Sequence, residues 1–103
     1  MPPSGDKHAL VRAIEQRILT GPGMAPAELR AKAFADSGLP EPLATLVDKV
    51  ANRSHQVTDA DFAAALAAGF TEDQLFELVI CAAVGESSRM YQAGLGALAK
   101  ASD

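Results

Sequence analysis

The chain has 103 residues, of which 49% are hydrophobic, 5% are aromatic and none is tryptophan, and it carries a net charge of −4. That length makes one domain, and so short a chain buries only a modest share of its surface, so it needs close packing or oligomerisation. Residues 1–53 hold seven Lys/Arg against six Asp/Glu and residues 54–103 hold two against seven, which excludes the clustered basic footprint of a nucleic-acid binder and any attraction to an anionic membrane surface.

Residues 1–5, built from Pro, Ser and Gly around Met1, are expected to form a disordered tail. They contain no basic segment followed by an apolar run, so no signal peptide is expected. Residues 6–103 are expected to form a single helical domain, with a helical arm over 6–39 and a core over 40–103. Asp6 caps a first helix that runs to about Thr20, with Leu10, Ile14 and Ile18 repeating every four residues. Gly21-Pro22-Gly23 ends it. Pro26 opens a second helix with Leu29, Ala33 and Phe34 on its apolar face, closed by Ser37-Gly38-Leu39-Pro40. Pro40 or Pro42 opens a third, in which Leu43, Leu46, Val47 and Val50 fall at i, i+3, i+4 and i+7. The stripe fades around Asn52 to Gln56.

Two helix-start signals follow. Thr58 and Asp61 have capping-box spacing, and Thr71 and Gln74 make a full capping box. Between them Phe62 to Ala68 is a short Ala-rich helix ended by Gly69. After Thr71 the spacing predicts a helix to about Lys100. From Leu75 to Val84 its only polar residue is Glu77, and a helix apolar all round is expected to be buried all round, as a central helix or as a seam between subunits. Gly85, Gly94 and Gly96 weaken its second half or permit close contact. No period-two pattern of useful length exists, and no apolar run approaches a membrane span. The fold class is all-α, with about five helices and a long, apolar C-terminal one.

Cys81 is the one cysteine. It excludes an intrachain disulfide and a CxxC pair, fits a reducing cytosol, and so gives a cytoplasmic expectation. Cys81 reads as a small buried hydrophobe and Asp61 as the partner of Thr58 in a cap. Met90 and Tyr91 read as core or interface. Ser87 and Ser88 read as solvated, since no His or acid is spaced to activate them. His8 and His55 make no metal site, so no metal and no cofactor is expected. Gly94 and Gly96 follow no strand and so make no phosphate loop.

From about Leu43 to Leu98 the chain resembles the AhpD-like proteins of the carboxymuconolactone decarboxylase family. The resemblance rests on Ala67-Ala-Gly-Phe-Thr-Glu-Asp-Gln-Leu-Phe-Glu-Leu78, which is similar to the family's small-residue helix, turn, capped start and acidic-apolar helix. The Ala-Ala-Val-Gly85 run and the Arg89 half-helix also fit. The resemblance implies an AhpD-like core over 40–103. It also implies a Cys-x-His-Cys motif before the turn, a His four residues after the second Cys and a Glu twelve before the first. Aligned on Gly69, the two cysteine positions fall on Ser54 and Val57, the intervening His on Gln56, the later His on Asp61 and the Glu on Pro42. Each departs from the pattern, and Glu41 and His55 lie one residue off, about 100° of helical rotation away.

Thiol peroxidase and disulfide reductase chemistry needs an attacking thiolate and a resolving one. Neither Ser54 nor Val57 supplies it, so no such activity is expected. The decarboxylase branch of the family acts on a small carboxylated ring without a dithiol, and Glu77, His55 and Arg89 are the candidates for that role. Glu77, interrupting an apolar stretch, is expected to meet solvent or to pair with Arg89 or Lys49. Three functions follow as expectations. The leading one is a non-catalytic, AhpD-like interaction or scaffold protein that forms a homo-oligomer through its last helix. The second is an accessory subunit of a redox partner protein. The third is the decarboxylase-type enzyme, which requires Glu77, His55 and Arg89 to share one cleft.

Overall fold

The computed structural model describes residues 7–102, with side chains from Ala9 onward. The expected tail over residues 1–5, the Asp6 cap and the side chain of His8 lie outside the described residues. The chain is all-α, as the apolar periodicity predicts. Five helices follow one another: α1 (Lys7–Thr20), α2 (Ala27–Ala35), α3 (Leu43–Asn52), α4 (Asp59–Ala67) and α5 (Glu72–Ala101), with a 3-10 turn over Ser54–Gln56 between α3 and α4.

Local sequence sets these boundaries. Asp36, in the left-handed region at φ 51°, ends α2 while its N–H and that of Ser37 close back on Ala33 and Lys32. Glu41 accepts from the backbone N–H and the hydroxyl of Thr45, and so anchors the first turn of α3. The Thr58–Asp61 and Thr71–Gln74 capping boxes both form. Gly69 takes φ 104°, a conformation that other residues resist, and turns the chain from α4 into α5.

α2 and α3 make the main contacts with α5. The core they enclose is built from Ala33 of α2, Leu43, Leu46 and Val47 of α3, Ala65 of α4, and Leu75, Leu78, Cys81 and Ala82 of α5. Small residues let the backbones come close. A Cβ on Gly85 would overlap the carbonyl of Phe34 and stand 2.7 Å from its carbon, so only glycine admits the end of α2 at that point. Arg89, one turn on, donates to the same Phe34 carbonyl at 2.7 Å and pairs with Glu86 at 3.1 Å.

The last helix corrects the sequence reading. α5 is long, but it is not an apolar helix buried all round. One face, carrying Leu75, Leu78, Cys81, Ala82 and Gly85, is buried. The opposite face is open, with Phe76 68%, Met90 66% and Leu98 63% exposed. The reason is one of coverage: four short helices lie along one side and the flanks of α5, and none crosses its outer face. Its other positions carry Glu72, Asp73, Glu77, Glu86, Arg89 and Lys100. Among the described residues no helix is long and apolar enough to cross a membrane. The molecule measures 50 × 29 × 21 Å with a radius of gyration of 15.5 Å, against about 13 Å for a compact domain of this length. The excess reflects an elongated molecule, with the 30-residue α5 as its longest element.

Candidate functional site

Two kinds of site are open to inspection: the polar side chains that the sequence marks, and the apolar surfaces that the fold leaves uncovered. Glu77 sits on the flank of α5 beneath the loop that joins α1 to α2. Its carboxylate accepts from the backbone N–H groups of Met24 and Ala25, the latter at 3.2 Å. Neither Arg89 nor Lys49 is its partner. Two backbone donors satisfy the carboxylate that interrupts the apolar stretch, and they peg the loop to α5. From the other side the buried guanidinium of Arg30, 7% exposed, donates to the carbonyls of Ile18 at 3.0 Å and Gly21 at 2.7 Å. These carbonyls lie at the C-terminal end of α1, where a helix lacks internal donors. Arg30 and Glu77, with Arg17, Ile18, Ile80 and Cys81, border a cleft of about 320 Å³. The Glu77 carboxylate and the Nη1 of Arg30 are taken up by main-chain atoms, while the buried Nε of Arg30 has no partner, so the cleft reads first as the lock of the α1–α2 loop.

Sequence reasoning overlooked Arg30, although a signal was present. Ala33 and Phe34 stand three and four residues after it, so Arg30 belongs to the apolar stripe of α2.

His55 is exposed on the 3-10 turn. Arg89 is held at the end of α2 and stands twelve residues, about 18 Å of helix, beyond Glu77. Neither contributes to the cleft that Glu77 lines. The three candidates for decarboxylase chemistry therefore occupy separate places.

Of the positions aligned with the AhpD-like dithiol motif, Ser54, Gln56, Val57 and Asp61 lie on and beside the α3–α4 turn, and Pro42 lies at the other end of α3. Ser54 is exposed and its carbonyl receives the N–H of Val57. Val57 packs against the core. The Gln56 side chain accepts from Arg53 at 3.4 Å. Pro42 stands at the start of α3.

Asp61 pairs with Lys49 at 2.9 Å and accepts from the backbone N–H of Thr58 at 2.9 Å. The Lys49 hydrogen bond, then that of Thr58, holds its carboxyl below the usual aspartate range. A carboxylate whose folded pKa is depressed stabilises the fold above its unfolded pKa and loses that contribution as pH falls through the folded value. Asp61→Asn is therefore expected to lower the unfolding midpoint at neutral pH. The gap to the natural chain should shrink as pH drops below about 4, the unfolded aspartate range. Urea titrations across pH 2–7 measure this, and a gap independent of pH would refute it.

Cys81 is buried, 1% exposed, and burial pushes its thiol upward, with Glu77 adding to the rise and Arg30 opposing it. The chain holds no second thiol, so no internal disulfide can form and no thiol-redox cycle can run within it. Among the described residues no group of three His, Cys, Asp or Glu is placed to hold a metal ion. Maleimide is expected to leave Cys81 untouched in the native protein over hours at pH 7 and to modify it within minutes in urea, as mass spectrometry would show. Rapid native labelling would mean that the core around Cys81 opens readily.

The fold also leaves apolar surface uncovered. A groove of about 410 Å³ between α4 and the start of α5 is lined by Phe62, Leu66, Leu75, Phe76 and Val79, with Glu72 and Asp73 at its rim. A second, of about 240 Å³, lies between α1 and the middle of α5, lined mainly by Val11, Ile14, Val84 and Tyr91. Leu10 and Ile14 are 61% and 49% exposed on α1. No family model matches the chain, and no curated protein and no solved structure matches it either.

Proposed function

We propose that this chain is a non-catalytic interaction domain that works as a homo-oligomer, with the outer face of α5 as its contact surface. The observation that carries the reading is the exposure of Phe76, Ile80, Met90 and Leu98 along one helix. Contiguous apolar surface of this kind, flanked by two apolar grooves, marks a protein contact rather than a solvated face. The polar chemistry supports the same reading: Glu77, Arg30 and Arg89 bind backbone atoms, and Cys81 is inside. The similarity of Ala67–Leu78 to AhpD-like proteins belongs to this proposal as well. On it the chain is a degenerate relative that keeps a helical scaffold and has replaced the dithiol with Ser54 and Val57.

The decarboxylase reading gains nothing from the geometry, because Glu77, His55 and Arg89 share no cleft. The accessory-subunit reading draws on Glu72 and Asp73 at the rim of the α4–α5 groove, where a basic partner would dock. Light scattering of the purified chain at micromolar concentration, with reductant present, tests the proposal. A defined oligomer is expected; a monomer across the concentration range would remove it. Were the chain monomeric alone but bound to a partner at low salt and released at high salt, the accessory reading would replace it.

A further inference from the structure

Resting on the interaction reading above, we infer that the partner on the outer face of α5 is a second copy of this chain, packed antiparallel about a two-fold axis that passes between Ser88 and Arg89. The face follows a heptad rhythm. Residues 76, 80, 83, 87, 90, 94, 97 and 101 are separated by alternating steps of four and three, and all eight are exposed in the single chain. Steps of four and three keep one seam facing a neighbouring helix, with a slight left-handed supercoil. None of the eight is charged, whereas an exposed face of this length ordinarily carries Lys, Glu or Arg.

The order of sizes along the seam selects the direction. Large residues stand at its start and small ones at its end. In the antiparallel register Phe76 meets Ala101, Ile80 meets Ala97, Ala83 meets Gly94 and Ser87 meets Met90. Each bulky side chain then lies opposite a small one, the alternation that lets two helices interdigitate. A parallel pair would set Phe76 on Phe76 and Gly94 on Gly94, leaving a bulge at one end and a gap at the other. It would also bring Glu72 and Asp73 beside their own copies, a like-charge contact that the antiparallel register places beyond the end of the partner helix. Gly94 leaves room for a close approach at Ala83 of the second copy, since a Cβ there would meet nothing within 4 Å in its own chain.

The seam runs for about 38 Å, and a strip one helix wide covers roughly 400 Å² per chain, about half of the 800 Å² per partner of a standard interface. Two apolar grooves flank the seam on opposite sides, through Val79 towards α4 and through Val84 and Tyr91 towards α1, and widen the surface open to a second copy.

Spin labels at Gln92 and Lys100, exposed residues outside the heptad positions, test the direction by pulsed dipolar spectroscopy, one position at a time. Across an antiparallel dimer the Lys100 labels should lie about 20 Å farther apart than the Gln92 labels, because axial separation grows at 3 Å per residue from the dyad. Ala97→Glu, at a position exposed in the single chain, should leave the helical circular dichroism unchanged and weaken the dimer at least tenfold by placing an unpaired charge against Ile80 of its partner. Equal distances at the two positions, or an undiminished dimer in Ala97→Glu, would overturn the seam while leaving the oligomer reading intact. A monomeric natural chain would overturn both.

Discussion

Gly85→Ala is expected to destabilise the protein by about 2–4 kcal/mol, although alanine is the better helix former. Two effects oppose each other. In the interior of a helix, alanine gains about 1 kcal/mol over glycine. Against that, the new methyl would overlap the Phe34 carbonyl and stand 3.0 Å from the Phe34 Cα. Those are backbone atoms, so no rotamer change relieves the clash and α2 has to move outward. Overpacking of this kind costs about 1–3 kcal/mol, and the movement would stretch the hydrogen bond that Arg89 donates to the same carbonyl, worth about 1.5–3 kcal/mol for a charged donor. Gly96→Ala is the matched control on the same helix. A methyl at Gly96 meets nothing within 4 Å, so it should stabilise by about 0.5–1 kcal/mol. Thermal unfolding at fixed protein concentration compares them, with a midpoint drop of about 10–20 °C expected for Gly85→Ala and a small rise for Gly96→Ala. Equal shifts of the same sign would show that α2 does not lie against Gly85.

Arg30→Met should cost about 3 kcal/mol and should act locally. Methionine keeps much of the length and apolar stem of arginine, so the loss isolates the guanidinium. Without it the carbonyls of Ile18 and Gly21 lose a buried charged donor, and each unsatisfied group costs about 1–3 kcal/mol, less where water reaches it. Arg30→Lys should fall between, because one ammonium lacks the planar fork of a guanidinium and holds the two carbonyls less well. Amide hydrogen exchange is the discriminating readout. Faster exchange is expected in the last turn of α1 and through Gly21 to Ala25, with α3 and α4 unchanged. Uniformly faster exchange would make Arg30 a general core residue and not the clamp of this loop.

The positions of the elements were legible because their signals are local. Thr58 with Asp61, Gly69 and Thr71 with Gln74 each act within one helical turn, and a one-turn interaction is visible in the spacing of residues; α2 ends at Asp36, one residue before the expected Ser37-Gly38-Leu39-Pro40 stop. The amphipathic stripe of α3 pointed to the same core residues, Leu43, Leu46 and Val47, that the fold buries. The absence of a second thiol was equally plain, and with it the loss of a dithiol cycle.

What an apolar side chain faces is a different kind of fact. The run from Leu75 to Val84 satisfied the pattern of a fully buried helix, yet burial depends on how many neighbours exist to cover it, and this chain has enough for one side of α5. Glu77 was identified as the unusual residue, but its partners proved to be the N–H groups of Met24 and Ala25, more than fifty residues earlier. A cationic partner such as Arg89 or Lys49 could be named from the sequence, but the backbone of a distant loop could not. Gly85 read either as a weak point of the helix or as room for a close contact, and the Phe34 carbonyl against it decides for the contact; Arg30 drew no attention in the sequence, and the end of α1 closes over it. The sequence alone determined the helices, the two capping boxes and the missing dithiol, because those follow from composition and from neighbours in the chain. Only the tertiary structure decided which face of α5 is left bare and which polar groups are used up inside, because both depend on contacts between residues far apart in sequence.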